Sequence, residues 1–416
     1  MQELQSAFGM IALLAIAWII SENRRAVSIR QAAIGLAVTF ATAMLFLKVP
    51  QITAGFFVIN SAVDAVADAT RAGTSFAFGY VGGGTLPFEL KVPGAEFSLA
   101  FQALPVLLVV SVLTSLLFYW RILPPIVRGL SWVFEHTLGV GGAVGLSAAA
   151  NIFLGMIEAP LFIRPYLVSL SRAELFTVMT AGMACIAGTV LVIYATLLAP
   201  VIPDAPAHLV VASVLDAPAA ILISLIMIPD PSPQRTGATL PKIASTASST
   251  MDAIVQGAAT GLELLLNICV MLIVLVALVH LCNALLGLLP AVGGAPISLQ
   301  SGLGLVMAPV CWLIGIPWKD AVTAGGLMGI KTVLNEFIAY VELSKLPPEA
   351  LEPRSRLIML YAMCGFANFG SLGIMIGGLA TMAPERRGDV ISLGFKSIVS
   401  GTLSTCLIGA IVGVLN

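Results

Sequence analysis

The sequence predicts an all-α polytopic membrane protein, and three observations carry the prediction. Hydrophobic residues make up 59% of its 416 positions and charged residues 10%, with a mean hydropathy of +1.03. A water-soluble domain of this length could not hide that much apolar surface. Apolar runs reach membrane-spanning length without the alternation of apolar and polar residues that barrel strands show, so the spans are helical. Several runs are also interrupted, most clearly at 148–160, where Asn151, Gly155 and Glu158 stand among apolar neighbours. Charge at a bilayer centre costs about 2.5–3.5 kcal/mol on insertion scales, which makes Glu158 a functional candidate from the outset.

Composition excludes other classes. A net charge of −1 leaves no basic surface for nucleic acid. The six cysteines, Cys185, Cys269, Cys282, Cys311, Cys364 and Cys406, lie in apolar stretches without metal-ligand spacing and read as small buried thiols. His136, His208 and His280 are far apart in sequence and away from the polar clusters, which gives an intramembrane enzyme no nucleophile–base pair. No cofactor is expected. The first apolar run lacks a basic segment before it and a small-residue cleavage site after it, so it is expected to be a retained helix.

In order, residues 8–20 form a short first span, and the arginines at 24, 25 and 30 favour a cytoplasmic loop, with the N-terminus outside. A second span covers 32–47. The next fifty residues, with Asp64, Asp68, Arg71 and glycines 82–84, read as interfacial helices and loop. A third span, 104–120, is closed by Arg121 and the Pro124-Pro125 pair, and 130–138 reads as an amphipathic piece at the interface. The interrupted 148–165 stretch is too short for an ordinary span and fits a re-entrant hairpin, which requires protein or a wet cavity around it. Helices follow at 175–198 and 209–228. Residues 230–249 form a polar, cytoplasmic linker, and 261–289 is a long, tilted scaffold helix. After 303–316 a second broken region runs from Gly325 to Tyr340, followed by a polar loop at 342–356. Residues 357–379 are apolar but interrupted by Asn368, Gly370 and Ser371, and 390–415 is the last span. The chain thus divides into scaffold helices at 1–130, a first transport half at 131–228, linker and scaffold helix at 229–317, and a second transport half at 318–416.

The two transport halves repeat a pattern: a broken segment with a glutamate (Glu158, Glu336), a turn with serine and arginine (Ser171-Arg172, Ser355-Arg356), then a helix interrupted by small or polar residues. Paired interrupted segments point to the midplane site of a secondary transporter. Asn151, Gly155 and Glu158 fall at i, i+4 and i+7, one face of a helix if it stays wound; Asn368 and Ser371 fall at i, i+3. Two carboxylates, two amides and a hydroxyl suit a small polyhydroxylated or amide-bearing solute. The competing reading is interhelical glue, worth only about 0.6 kcal/mol per hydrogen bond, which a carboxylate is a costly way to obtain.

At these residues the chain resembles the concentrative nucleoside transporter family, bacterial branch. Ser-Arg-Ala-Glu-Leu-Phe from Ser171, Asn-Glu-Phe-Ile-Ala-Tyr from Asn335, Cys-Gly-Phe-Ala-Asn from Cys364 and Ala-Pro-Glu-Arg-Arg-Gly-Asp from Ala383 look like family signatures in the family's order. The resemblance implies a homotrimer of eight-helix protomers, each with two re-entrant hairpins and a mobile transport domain, importing nucleosides with Na⁺ or H⁺ across the inner membrane. It implies ribose binding by Glu158, Asn368 and Ser371, with Glu336 near the sugar and Phe366 and Val190 lining the pocket. It also implies a Na⁺ site at Asn151, the carbonyls around Leu154 and Ile186, and Cys185 in the place of a serine. Many members have Gly-Gln-Thr/Ser-Glu where this chain has Gly155, Met156, Ile157 and Glu158, so the pair that meets the nucleobase is apolar here. A thiol is a poor ligand for a hard cation, so proton coupling through Glu158 or Glu336 competes with Na⁺. The rival reading is a symporter of another sugar-bearing or polar metabolite.

Overall fold

The computed structural model describes residues 2–53, 55–91, 95–230, 236, 247–290 and 297–416. Apolar residues without internal breakers wind the N-terminal chain into α1 (Gln2–Ile19) and α2 (Ile29–Lys48), the second capped by the Ser28 hydroxyl. After the single turn α3 (Pro50–Thr53), α4 (Phe56–Phe78) is a 23-residue helix where only interfacial pieces are expected from the sequence. α5 (Val106–Tyr119) follows a π-helical turn at Leu99–Ala103. Pro124 and Pro125 do not close this span but sit in the first turn of α6 (Leu123–Thr137), where a missing N–H leaves no intrahelical bond unmade.

The first transport half holds α7 (Gly142–Asn151), α8 (Glu158–Leu161), α9 (Arg172–Ala184), α10 (Gly188–Leu198) and α11 (Ala205–Met227). Two expectations are corrected here. α7 stops at Asn151 and the chain loops before Glu158, so Asn151, Gly155 and Glu158 do not share a helical face. The single helix expected over 175–198, interrupted by small residues, is two separate helices: Cys185 and Ala187 are extended, and the amide of Gly188 donates to Phe153 O at 3.2 Å. A partner from the neighbouring break thus takes a group that a continuous helix would have used internally. α9 opens with a capping box between Ser171 and Glu174, and Glu174 also accepts from the amide and hydroxyl of Thr236, at 2.8 and 2.6 Å. The rest of the expected linker, 231–235 and 237–246, lies outside the described residues.

Then come α12 (Thr250–Leu286), α13 (Leu299–Leu313), α14 (Trp318–Val333), α15 (Glu336–Lys345), α16 (Pro353–Met363), α17 (Phe369–Met382) and α18 (Arg387–Leu415). The second broken region is narrower than expected: α14 is continuous through Gly325, and the chain breaks only at Leu334 and Asn335. α7 to α11 and α14 to α18 therefore repeat one order, with Glu158 and Glu336 each the first residue of the shorter helix. The serine–arginine match is looser, since Ser171 caps α9 whereas Ser355 lies inside α16 and donates to Asp320 at 2.8 Å. Among the described residues seven helices are long and apolar enough to cross a membrane, or eight if α13 and α14, bent by 119°, count as one span.

The core lies where α9, α11, α16 and α18 pack together, with α1 and α2 against it. Of the most apolar stretch of α11, 83% is buried; of that of α12, none, so α12 lies on the outside of the chain. α12 is held by α5 through Gly257 and Gly261, four residues apart, where an added Cβ would stand 2.7 Å from Val112 Cα and 2.9 Å from Leu108 Cα. Small residues at this spacing let two backbones approach closely in lipid. Gly261→Val should therefore push α12 off α5 and lower stability by about 1–3 kcal/mol. Ala259→Val, at an exposed position of the same helix, should leave the melting temperature in detergent near wild type; equal melting of both variants would refute the close contact.

Candidate substrate site

Both helices that follow the breaks in the second half are capped by asparagine. Asn335 Oδ1 accepts from the Ile338 amide at 2.9 Å at the start of α15, and Asn368 Oδ1 accepts from the Ser371 amide at 2.7 Å at the start of α17. The first-turn position of Glu336 suits a carboxylate, because the N-terminal end of a helix dipole is positive. Its side chain is only 4% exposed and is held at both oxygens: Tyr194 of α10 donates to Oε1 at 2.7 Å and Asn368 Nδ2 donates to Oε2 at 3.0 Å. Glu158 differs. It is exposed, and its carboxylate lies over Gly155, where no Cβ stands in the way.

These groups border one cavity of about 590 Å³. The sequence-predicted substrate residues Gly155, Met156, Ile157, Glu158, Val190, Glu336, Phe366, Asn368 and Ser371 all line it. Met156 and Ile157 also serve packing: Met156 lies against Gly182 of α9 and Ile157 against Gly378 of α17, close enough that a Cβ on either glycine would meet them at 3.1 and 2.9 Å. The apolar side chains dock the 152–157 loop against α9 and α17 and offer the cavity no hydrogen-bonding group.

The predicted cation positions do not line the cavity. Asn151, Cys185 and Ile186 are buried behind it, and Leu154 is partly buried. The amide nitrogen of Asn151 donates to Ser147 O at 3.1 Å, which leaves its oxygen as the unspent end. Among the described residues neither the Leu154 nor the Ile186 carbonyl accepts a backbone hydrogen bond. Three unspent oxygens suit a hard monovalent cation, and the Cys185 thiol does not.

Sequence reasoning missed part of the wall. Thr189 and Tyr194 of α10 and Thr260, Glu263 and Asn267 of α12 also line the cavity. The last three fall at i, i+3 and i+7, a spacing legible in the sequence. It also passed over Lys331, which like Asp216 of α11 has no exposed surface. Neither the Lys331 ammonium nor the Asp216 carboxylate has a hydrogen-bond partner among the described residues, and Lys331 lies within the electrostatic reach of both Asp216 and Glu336.

A cavity of this size accepts a small solute. Carboxylates, an amide and a hydroxyl from interrupted helices can hold a polyol, while Phe366, Val190 and Ile374 flank a flat apolar body. Such a site, set in helices that cross a membrane, defines a multi-pass membrane transporter and not an enzyme. Comparison with known proteins agrees. The Na⁺ dependent nucleoside transporter N-terminus matches residues 8–81 and the corresponding C-terminus 208–413, and a nucleoside recognition (Gate) region matches 100–201. The nucleoside permease NupC of Helicobacter pylori is 34% identical, over 98% of this chain and 96% of its own length. CNTnw in an inward-facing, substrate-bound state is 35% identical with a TM-score of 0.90, covering 99% of this chain and 98% of that one. A CNTnw double variant in an outward-facing state is 34% identical with a TM-score of 0.92, covering 100% and 97%. The chain belongs to the concentrative nucleoside transporter family.

Two consequences are measurable. Tyr194→Phe removes a donor to the Glu336 carboxylate and should raise the KM for substrate about 10-fold, as expected for losing a hydrogen bond to a charged group; an unchanged KM in vesicle uptake would mean that Tyr194 does not support the site. Lys331→Met removes the buried cation within electrostatic reach of Asp216 and Glu336 and should lower stability by about 1–3 kcal/mol. Adding Asp216→Asn should return part of that loss, and identical melting of the single and double variants would argue against coupling of the two groups.

Proposed function

We propose that this protein is a secondary active symporter that imports nucleosides across the plasma (inner) membrane, driven by a Na⁺ or H⁺ gradient, with the pocket carried by an elevator-like movement of its domain. The observation that carries the reading is the convergence of Glu336, Asn368 and Ser371 with Glu158 on one cavity formed by interrupted helices. Glu158, Asn368 and Ser371 hold the ribose hydroxyls, Glu336 fixes Asn368 and lies near the sugar, and Val190 and Phe366 flank the base. The backbone of Gly155 gives the Glu158 carboxylate room to reach the solute. The names of the relatives support the substrate class, and CNTnw adopts inward- and outward-facing states. The elevator reading draws on the contrast between the buried bundle and the exposed α12, which borders the cavity and packs on α5.

For the coupling ion, Asn151, Leu154 and Ile186 would supply oxygens to Na⁺, with Cys185 beside them. Bound there, Na⁺ supplies positive charge behind the two first-half breaks, which the Gly188–Phe153 hydrogen bond already joins. Proton binding at Glu158 or Glu336 is the alternative. A homotrimer would cover part of the apolar outer face of α12. A second reading, a symporter of another sugar-bearing or polar metabolite, is favoured by one observation: Met156 and Ile157 bring no hydrogen-bonding group to the cavity.

The test is uptake of radiolabelled uridine and adenosine into proteoliposomes under an imposed Na⁺ gradient and, separately, an imposed pH gradient. Accumulation under one gradient alone is expected and identifies the coupling ion, and Glu158→Gln should abolish it. No uptake of either nucleoside by folded protein would transfer the case to the second reading.

A further inference from the structure

We propose that Glu263 and Asn267 of α12 form a base-reading edge of the cavity and select nucleobases that carry an exocyclic amino group. The proposal rests on the nucleoside reading above and specifies which nucleosides the same pocket prefers.

Glu263 is the only charged residue between Asp252 and His280, a run that is otherwise apolar but for Gln256, Thr260 and Asn267. A lone carboxylate in a membrane helix is retained at a cost that interhelical packing does not require. It is not used for packing here: Glu263 and Asn267 are exposed, line the cavity and make no side-chain hydrogen bond among the described residues. Thr260 on the same face is already committed, donating to Gln256 O at 3.0 Å. Two unspent polar groups one helical turn apart therefore face the solute.

The bundle side of the cavity supplies the complement. Glu336 and Asn368 are tied to one another, Ser371 stands at the start of the same half-helix, and Met156 and Ile157 are turned to packing. A nucleobase bound against these residues keeps a polar edge with no partner among them, and leaving such an edge dry and unpaired is unfavourable. The free acceptor on that side, the Glu158 carboxylate, is taken by the ribose in the proposed function, so for the base the α12 wall is where acceptors remain.

The donor pattern decides which base fits. An ionised carboxylate only accepts, and it pairs with the exocyclic amino group of cytosine; an asparagine amide pairs with the amino group and ring nitrogen of adenine. Uracil and hypoxanthine present carbonyl oxygens at the corresponding positions, and an oxygen facing Glu263 is repelled. Cytidine over uridine and adenosine over inosine are therefore the two comparisons in which a single amino group is exchanged for a carbonyl.

The experiment is competition uptake with the purified full chain in proteoliposomes, measuring the ratio of kcat/KM for cytidine against uridine and for adenosine against inosine. Wild type should favour the amino-bearing partner about 10-fold in each pair, within the discrimination expected of one bidentate contact. Glu263→Gln, which keeps the shape and adds a donor, should bring both ratios to within about 2-fold of unity, while Asn267→Leu should reduce the adenosine ratio more than the cytidine ratio. Equal handling of cytidine and uridine by wild type overturns the proposal without any variant, and so does a ratio unchanged in Glu263→Gln. Uptake without amino preference leaves the nucleoside reading standing. Absence of all nucleoside uptake removes that reading and this one together.

Discussion

The structure around the cavity depends on one buried carboxylate. Glu336 ends the break between α14 and α15, and its two oxygens are taken by Tyr194 from the first half and Asn368 from the interrupted helix of the second. Burying a carboxylate this deep is costly unless its lone pairs are met, and here the two groups that meet it come from two other elements, α10 and α17. The same bonds that satisfy the charge therefore fix the relative positions of α10, α15 and α17. Asn368 serves twice, accepting from Ser371 at the helix start while donating to Glu336, so the cap of α17 and the carboxylate are one unit.

Each break in the backbone is met in a similar manner. In a bilayer an interrupted helix must find partners for the amides and carbonyls it releases. Asparagine side chains cap α15 and α17, and the first-half break at 185–187 is joined to the hairpin through Gly188 and Phe153. At Leu154 and Ile186, whose carbonyls accept no backbone hydrogen bond among the described residues, oxygen atoms are left that the proposed cation would use. Backbone irregularity is in this way the source of the polar chemistry in an otherwise apolar core.

This division explains what the sequence revealed and what it hid. Glu158, Glu336, Asn368 and Ser371 stood out because polar residues inside apolar runs are costly, and all four line one cavity. The break after Ala184 was signalled only by the small residues there, and its amide partner, the Phe153 carbonyl, belongs to another segment that no local pattern announces. The expected helical face of Asn151, Gly155 and Glu158 failed for a related reason: spacing alone does not tell where a helix stops. Pro124 and Pro125 misled in the opposite sense, since a proline pair that ends one helix can equally open the next. Glu263 was legible by the same cost argument as Glu158, but the length and uniformity of its helix directed attention to scaffolding. Gly257 and Gly261, in the same helix, bring it into close contact with α5.

α12 therefore carries two functions on neighbouring residues. Gly257 and Gly261 bind it to α5, and Thr260, Glu263 and Asn267 turn to the cavity. The bundle, by contrast, holds its polar groups to one another through Glu336. Under the proposed domain movement, groups on the bundle travel with the solute, whereas groups on α12 meet it only while the two bodies are aligned. Contacts of the first kind act throughout the cycle and determine that a ribose is carried; contacts of the second kind act at one stage and filter what is admitted. A chain whose first hairpin carries Met156 and Ile157 in place of polar residues can thus retain discrimination by moving it from the mobile body to the fixed one. The physical requirement is only that α12 present acceptors to the base, where Met156 and Ile157 bring none and the proposed function gives Glu158 to the ribose.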